Sequence, residues 1–256
     1  MNKPDIKVGK MTIGNVVDVL ADNIGDNIGL EYHELGIKYN FKQLREIFDK
    51  VAKGLMALGI DRGDKVALWA NNVPEWVYLQ YGTARMGAVL VTVNTNYRSN
   101  ELEYLLQQSD STTLILVGGI RESDEFLKVL DKVCPSVKES EPGKLNCEKL
   151  PFLKNIIYLG KEKLPGMYNW DDILEMGKSV SDEELKARLN SLDPHDTINM
   201  QYTSATTAFP KGVMLTRTNP HGNSLSMSER MNLTPDDAMC TVVPFFHCFG
   251  CVIGAL

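Results

Sequence analysis

Short apolar runs separated by helix-length segments are what most constrains this chain of 256 residues. Val66-Ala67-Leu68-Trp69 follows the turn Asp61-Arg62-Gly63-Asp64 and suits a strand covered on both faces. Ala88 to Val93, Thr113 to Val117 and Ile156-Ile157-Tyr158-Leu159 read as further strands. Between them lie helical signals. Asn40 can cap a helix whose apolar positions Phe41, Leu44, Phe48, Val51, Leu55 and Leu58 recur at three- and four-residue steps until Gly59 stops it. Helices are also expected from Pro74 to Met86, near Glu101 to Gln107, near Glu122 to Val133, and through Leu189 from a capping box of Ser181 and Glu184. Strands alternating with helices predict a layered α/β fold with a largely parallel sheet. Pro135 to Lys149, rich in Ser, Glu, Lys, Pro and Gly and without a sustained apolar period, reads as an exposed connection.

Composition removes several classes of function. A net charge of −6 supplies no general basic field for nucleic acid or an anionic membrane. No apolar run approaches the roughly 20 residues of a membrane helix, and Met1 to Lys10 lacks the apolar core of a secretion signal, so the expected location is the cytoplasm. Five cysteines, an odd number in a chain too large to need disulfide staples, are expected to be reduced thiols.

Strands Ile198 to Tyr202 and Val213 to Thr216 flank a loop dense in hydroxyls: Thr203, Ser204, Thr206 and Thr207, followed by Lys211. Side-chain hydroxyls, an ammonium and closely spaced backbone N–H groups together form the kind of concavity that binds phosphate. Lys211 is followed by Gly212 and an apolar β-branched run, not by Ser/Thr and a helix, so this is not a Walker loop. The residues alone also allow a Ser/Thr-rich turn with a solvated lysine.

Residues 201–216 resemble the signature of the adenylate-forming family, the acyl-CoA synthetases, luciferases and peptide-synthetase adenylation domains. The resemblance extends through Leu58 to Ala67, Asn72-Val73-Pro74-Glu75-Trp76, Gly87-Ala88-Val89, Asn94 to Arg98 and Pro244-Phe245-Phe246-His247. It implies the large N-terminal domain of an adenylating enzyme over residues 1–256, ending before the adenine and ribose motifs, the acidic magnesium ligand and the small C-terminal domain. It further implies that Thr203, Ser204, Thr206, Thr207 and Lys211 bind the phosphates of ATP, that His247 lies at the acyl pocket, and that magnesium and coenzyme A take part. The implied activity is AMP-forming acyl-CoA synthesis from a fatty or other aliphatic carboxylate. Two other readings stay open: another adenylating enzyme, and a non-catalytic nucleotide-binding or interaction module.

The departures matter too. Ala205 and Ala208 replace family glycines, Arg217 stands at a usual histidine, and Pro220 follows an Asn219 expected to cap the next helix. A Cβ opposes positive φ or close phosphate approach by roughly 1–2 kcal/mol, so weakened phosphate contacts are expected. His247 can equally be read as a core histidine, Cys248-Phe249-Gly250-Cys251 as a redox or zinc pair against two buried thiols, and Glu31, His33 and Glu34 as an exposed turn. Trp69, Trp76 and Trp170 are expected to pack. The apolar run to Leu256 has no cap or polar tail, so the chain is expected to end inside an element, to associate through that edge, and to make no acyl-CoA alone.

Overall fold

The computed structural model describes residues 11–120, 123–204 and 209–256. Helix α1 (Ile13–Ile24) precedes a hairpin of β1 (Ile28–Tyr32) and β2 (Ile37–Asn40). Then come α2 (Phe41–Ala57), β3 (Lys65–Trp69), α3 (Pro74–Met86), β4 (Val89–Thr92), α4 (Ser99–Gln108), β5 (Ser111–Leu116) and α5 (Glu125–Val133). The remainder is β6 (Asn155–Tyr158), β7 (Tyr168–Asn169), α6 (Trp170–Met176), α7 (Asp182–Asn190), β8 (Thr197–Tyr202), β9 (Gly212–Thr216) and α8 (Thr218–Arg230). A π-helical turn spans Phe249–Gly254.

Seven strands form one sheet in the order β7-β6-β5-β3-β4-β8-β9. All neighbours pair parallel except β8 and β9, which are antiparallel. Successive side chains on a strand point to opposite faces, and the sheet uses both. Val66, Leu68, Leu90, Ile115 and Ile157 pack in a core with α1, α2 and α3. Ala67, Trp69, Val89, Val91, Leu114, Leu116 and Ile156 pack in a second core with α4 and α5. Burial on both faces is why these strands read as continuous apolar runs.

Local signals set the boundaries. Asn40 Oδ1 accepts from the Gln43 amide at 2.9 Å while Gln43 Oε1 accepts from the Asn40 amide at 3.0 Å, closing a capping box on α2. Ser181 and Glu184 do the same for α7. Pro74 opens α3, and Gly87 ends it with φ 93°, where an added Cβ would stand 2.6 Å from Leu192 Cδ2. Arg85, buried on α3, joins three helices: it donates to Gly14 O and pairs with Asp18 of α1 at 3.1 Å and Asp49 of α2 at 2.5 Å.

Two expectations need correction. Pro135 to Lys149 is not simply exposed. It holds a 3₁₀ turn over Pro135–Glu139 and buries Val137, Leu145 and Cys147 in the second core. Isolated apolar residues anchor it one at a time, which leaves no period to read. Helix α8 starts at Thr218, so Asn219 is not its cap. Asn219 Oδ1 instead accepts from the Thr216 N–H and hydroxyl, both at 2.9 Å. Pro220 is the helix's third residue, where no intrahelical N–H partner exists to be lost. Helix α1 and the β1–β2 hairpin have no counterpart in the sequence reading; Glu31, His33 and Glu34 lie at that hairpin's exposed turn.

Candidate functional site

In open parallel sheets the carboxyl ends of the strands face the ligand crevice. Here Thr92 and Asn94 at the end of β4, and Gln201, Tyr202, Thr203 and Ser204 at the end of β8, line one side of a cavity of about 1190 Å³. Tyr97, Asn100, Glu101 and Tyr104, at and before α4, line another side, and Phe246, His247 and Cys248 a third. Small-molecule sites typically hold about 300–1,000 Å³, so this one is large enough for a sizeable ligand.

Thr203 and Ser204 are exposed at the cavity. Thr203 N–H donates to Lys211 O at 3.1 Å, and Lys211 N–H donates to Thr203 Oγ1 at 3.1 Å, so these two residues pinch the neck of the loop. Lys211 is exposed beside that neck. Thr206 and Thr207, with Ala205 and Ala208, lie outside the described residues.

His247 is not a core histidine. It is exposed on the cavity wall, and its Nδ1 accepts from the Phe249 N–H at 3.2 Å. Its segment is held by Asn72, in the loop after β3: Asn72 Nδ2 donates to Val243 O and Phe245 N–H donates to Asn72 Oδ1, each at 2.9 Å. Phe245 is buried beside Trp76, with ring centroids 5.4 Å apart. Farther along, Gln80 Nε2 donates to Cys251 O at 2.9 Å, and Gln201 Nε2 to Cys251 Sγ at 3.2 Å. The loop after β3, helix α3 and strand β8 therefore fix the aromatic segment. Asn72 was visible in the sequence only as part of a familiar string, with no role attached.

The cysteine pair is split between surface and interior. Burial pushes the Cys251 thiol up to about 12, while Cys248 is exposed. Among the described residues no three His, Cys, Asp or Glu side chains gather to hold a metal. Arg217 also stays out of the cavity. Fully buried, it donates from Nη1 to Ala84 O at 2.9 Å, with Nε 3.9 Å from Asp196 Oδ2. Burial, partly offset by Asp196, lowers its pKa to about 10. The side chain ties the β9–α8 junction to the end of α3. Trp69 is stacked on Phe126 at 4.0 Å, so it and Trp76 pack as expected, with Trp170 partly buried against the first core.

Residues 21–256 match the family model described as AMP-binding enzyme. The chain belongs to that family. Among its relatives, YngI of Bacillus subtilis (strain 168), named as a candidate acyl-CoA synthetase, is 49% identical over 245 residues, 96% of this chain and 44% of that protein. The human mitochondrial medium-chain acyl-CoA ligase ACSF2 is 33% identical over 250 residues, 96% of this chain and 40% of that protein. The chain thus spans less than half the length of either relative. In fold it resembles the long-chain-fatty-acid-CoA ligase FadD1 of Archaeoglobus fulgidus, with a TM-score of 0.71 at 23% identity over 99% of this chain and 46% of that one. It also resembles the anthranilate CoA ligase AuaEII, solved with anthranoyl-AMP, with a TM-score of 0.71 at 19% identity over 98% of this chain and 43% of that one. No helix among the described residues is long and apolar enough to cross a membrane.

Proposed function

We propose that residues 1–256 form the phosphate-binding and part of the acyl-binding portion of an AMP-forming acyl-CoA synthetase acting on aliphatic carboxylates. The observation that carries this is one cavity lined both by Thr203 and Ser204 of the β8–β9 loop and by Phe246 and His247. A carboxylate must approach a polyphosphate anion, so the site has to offer donors to the phosphates and an apolar wall to the acyl chain. In the reaction a carboxylate oxygen bonds to the α-phosphorus of ATP and pyrophosphate leaves; the thiol of coenzyme A then bonds to the acyl carbon, AMP leaves, and the thiol proton passes to solvent.

Thr203 and Ser204 would donate to the phosphates and Lys211 would supply positive charge, a preorganised arrangement that stabilises charge as it develops. Thr206 and Thr207 are assigned to the same group from sequence alone. Phe246 and His247 would seat the acyl group near the α-phosphate. The names of the relatives support a fatty or medium-chain acid. A second reading, a nucleotide-binding module without turnover, is favoured by one feature: alanine at both 205 and 208, where a Cβ opposes close phosphate approach.

The test is acid-dependent ATP–pyrophosphate exchange by the protein purified from its source cell, with straight-chain acids of increasing length. Exchange that depends on an aliphatic acid is expected. ATP binding with no exchange for any acid would instead select the module.

A further inference from the structure

We infer that helix α4 is the rest on which the phosphate loop is set, with Tyr104 as its positioning residue; only the loop's phosphate role rests on the function proposed above. Both ends of the loop meet this one helix. On the entry side, the Tyr202 hydroxyl bonds to Gln108 Oε1 and, at 3.4 Å, to Leu105 O. On the exit side, the Tyr104 hydroxyl donates to Pro210 O at 3.0 Å, and its ring stacks on Phe209 with centroids 5.0 Å apart and planes 26° from parallel. The next residue but one is equally close to the helix, since a Cβ added at Gly212 would stand 3.1 Å from Gln108 Oε1.

The helix is suited to this. Leu102, Leu105 and Leu106 are buried in the second core, so its backbone is fixed from behind while Tyr104 faces the cavity. Thr203, Phe209 and Lys211 are exposed, and the reciprocal bonds of Thr203 and Lys211 join the two sides of the neck. Phe209 remains 74% exposed despite the stack, so its ring contributes little to the global fold and chiefly holds the loop against Tyr104. Tyr104 acts on the phosphates through Pro210 and the neck.

The test uses the 256-residue chain and three variants: Tyr104→Phe, which removes only the hydroxyl, Phe209→Ala, which removes the stack, and Gln107→Ala as a control. Gln107 is on the same helix but bonds to Lys149 O, away from the loop. Hydrogen exchange of the Thr203 and Lys211 amides is measured together with magnesium-ATP affinity. One hydrogen bond or one aromatic pair lost should speed exchange of both amides about five- to tenfold and weaken ATP binding, with little change in the unfolding midpoint. The control should match wild type. Unchanged amides in Tyr104→Phe and Phe209→Ala would overturn the inference, as would equal acceleration in all three variants, or faster exchange with unaltered ATP affinity. A wild-type chain that binds no ATP would sink the proposed function, while the exchange data would still judge the support given by α4.

Discussion

Replacing Asn72 by alanine should loosen the segment that carries His247 without disturbing the sheet. Asn72 makes two hydrogen bonds of 2.9 Å to that segment, one to Val243 O and one from Phe245 N–H. Each is worth about 1 kcal/mol net, and leaving both backbone groups without their partner adds up to about 1–3 kcal/mol per group at full burial. Asn72 is only partly buried, so water can take up some of that loss, and a total of about 2–4 kcal/mol for opening the segment follows. At 1.4 kcal/mol per decade, the Phe245 amide should exchange about 30- to 700-fold faster than in wild type, up to the ceiling set by global unfolding. Native-state hydrogen exchange reads this directly. Asn72→Asp keeps an acceptor for Phe245 but sets a carboxylate against the Val243 carbonyl, so it should rescue no more than half of the effect. An Asn72→Ala chain whose Phe245 exchange matches wild type would refute the reasoning.

Arg85→Met should cost about 3 kcal/mol at pH 7, because it leaves Asp49 and Asp18 without their buried partner. Burial already raises the Asp49 pKa and Arg85 opposes that rise, so the variant's Asp49 should titrate higher still. A raised carboxyl contributes most stability when protonated and loses it as pH rises through its folded pKa, so the penalty should shrink toward pH 4; urea midpoints at both pH values check this, and a pH-independent penalty counts against it. Alkylation of the native chain should modify exposed Cys240 and Cys248 and spare Cys134, Cys147 and Cys251, two of which, Cys134 and Cys251, have thiols pushed up to about 12 by burial; peptide mapping decides. Restoring glycine at 205 and 208 should tighten ATP binding by up to about tenfold per site, measured by calorimetry, and unchanged affinity would mean that the alanines are tolerated.

What could be read from the sequence follows from where the physics is local. The central strands were legible because both their faces are buried, and α2, α3 and α7 because Asn40, Pro74 with Gly87, and Ser181 with Glu184 carry their own start or stop chemistry. Pro135 to Lys149 was misread because Val137, Leu145 and Cys147 are buried by long-range packing with no period. The start of α8 was misplaced because Asn219 turned its carboxamide back to Thr216. Thr203, Ser204 and His247 were legible as a set only through resemblance; Asn72 and Tyr104 were not, since their partners at Val243, Phe245 and Pro210 lie 171, 173 and 106 residues away.

The central claim is that the loop hydroxyls and the aromatic–histidine segment serve one ligand that joins a phosphate to an acyl chain. Titrating the chain with a non-reactive acyl-adenylate mimic, such as an acylsulfamoyl adenosine bearing an aliphatic chain, and following the Thr203, Ser204 and His247 resonances tests it most directly. All three should shift along one saturable curve, and the AMP-only analogue should move Thr203 and Ser204 but not His247. Saturable binding that leaves either group unmoved, or no binding of the mimic, would contradict the account.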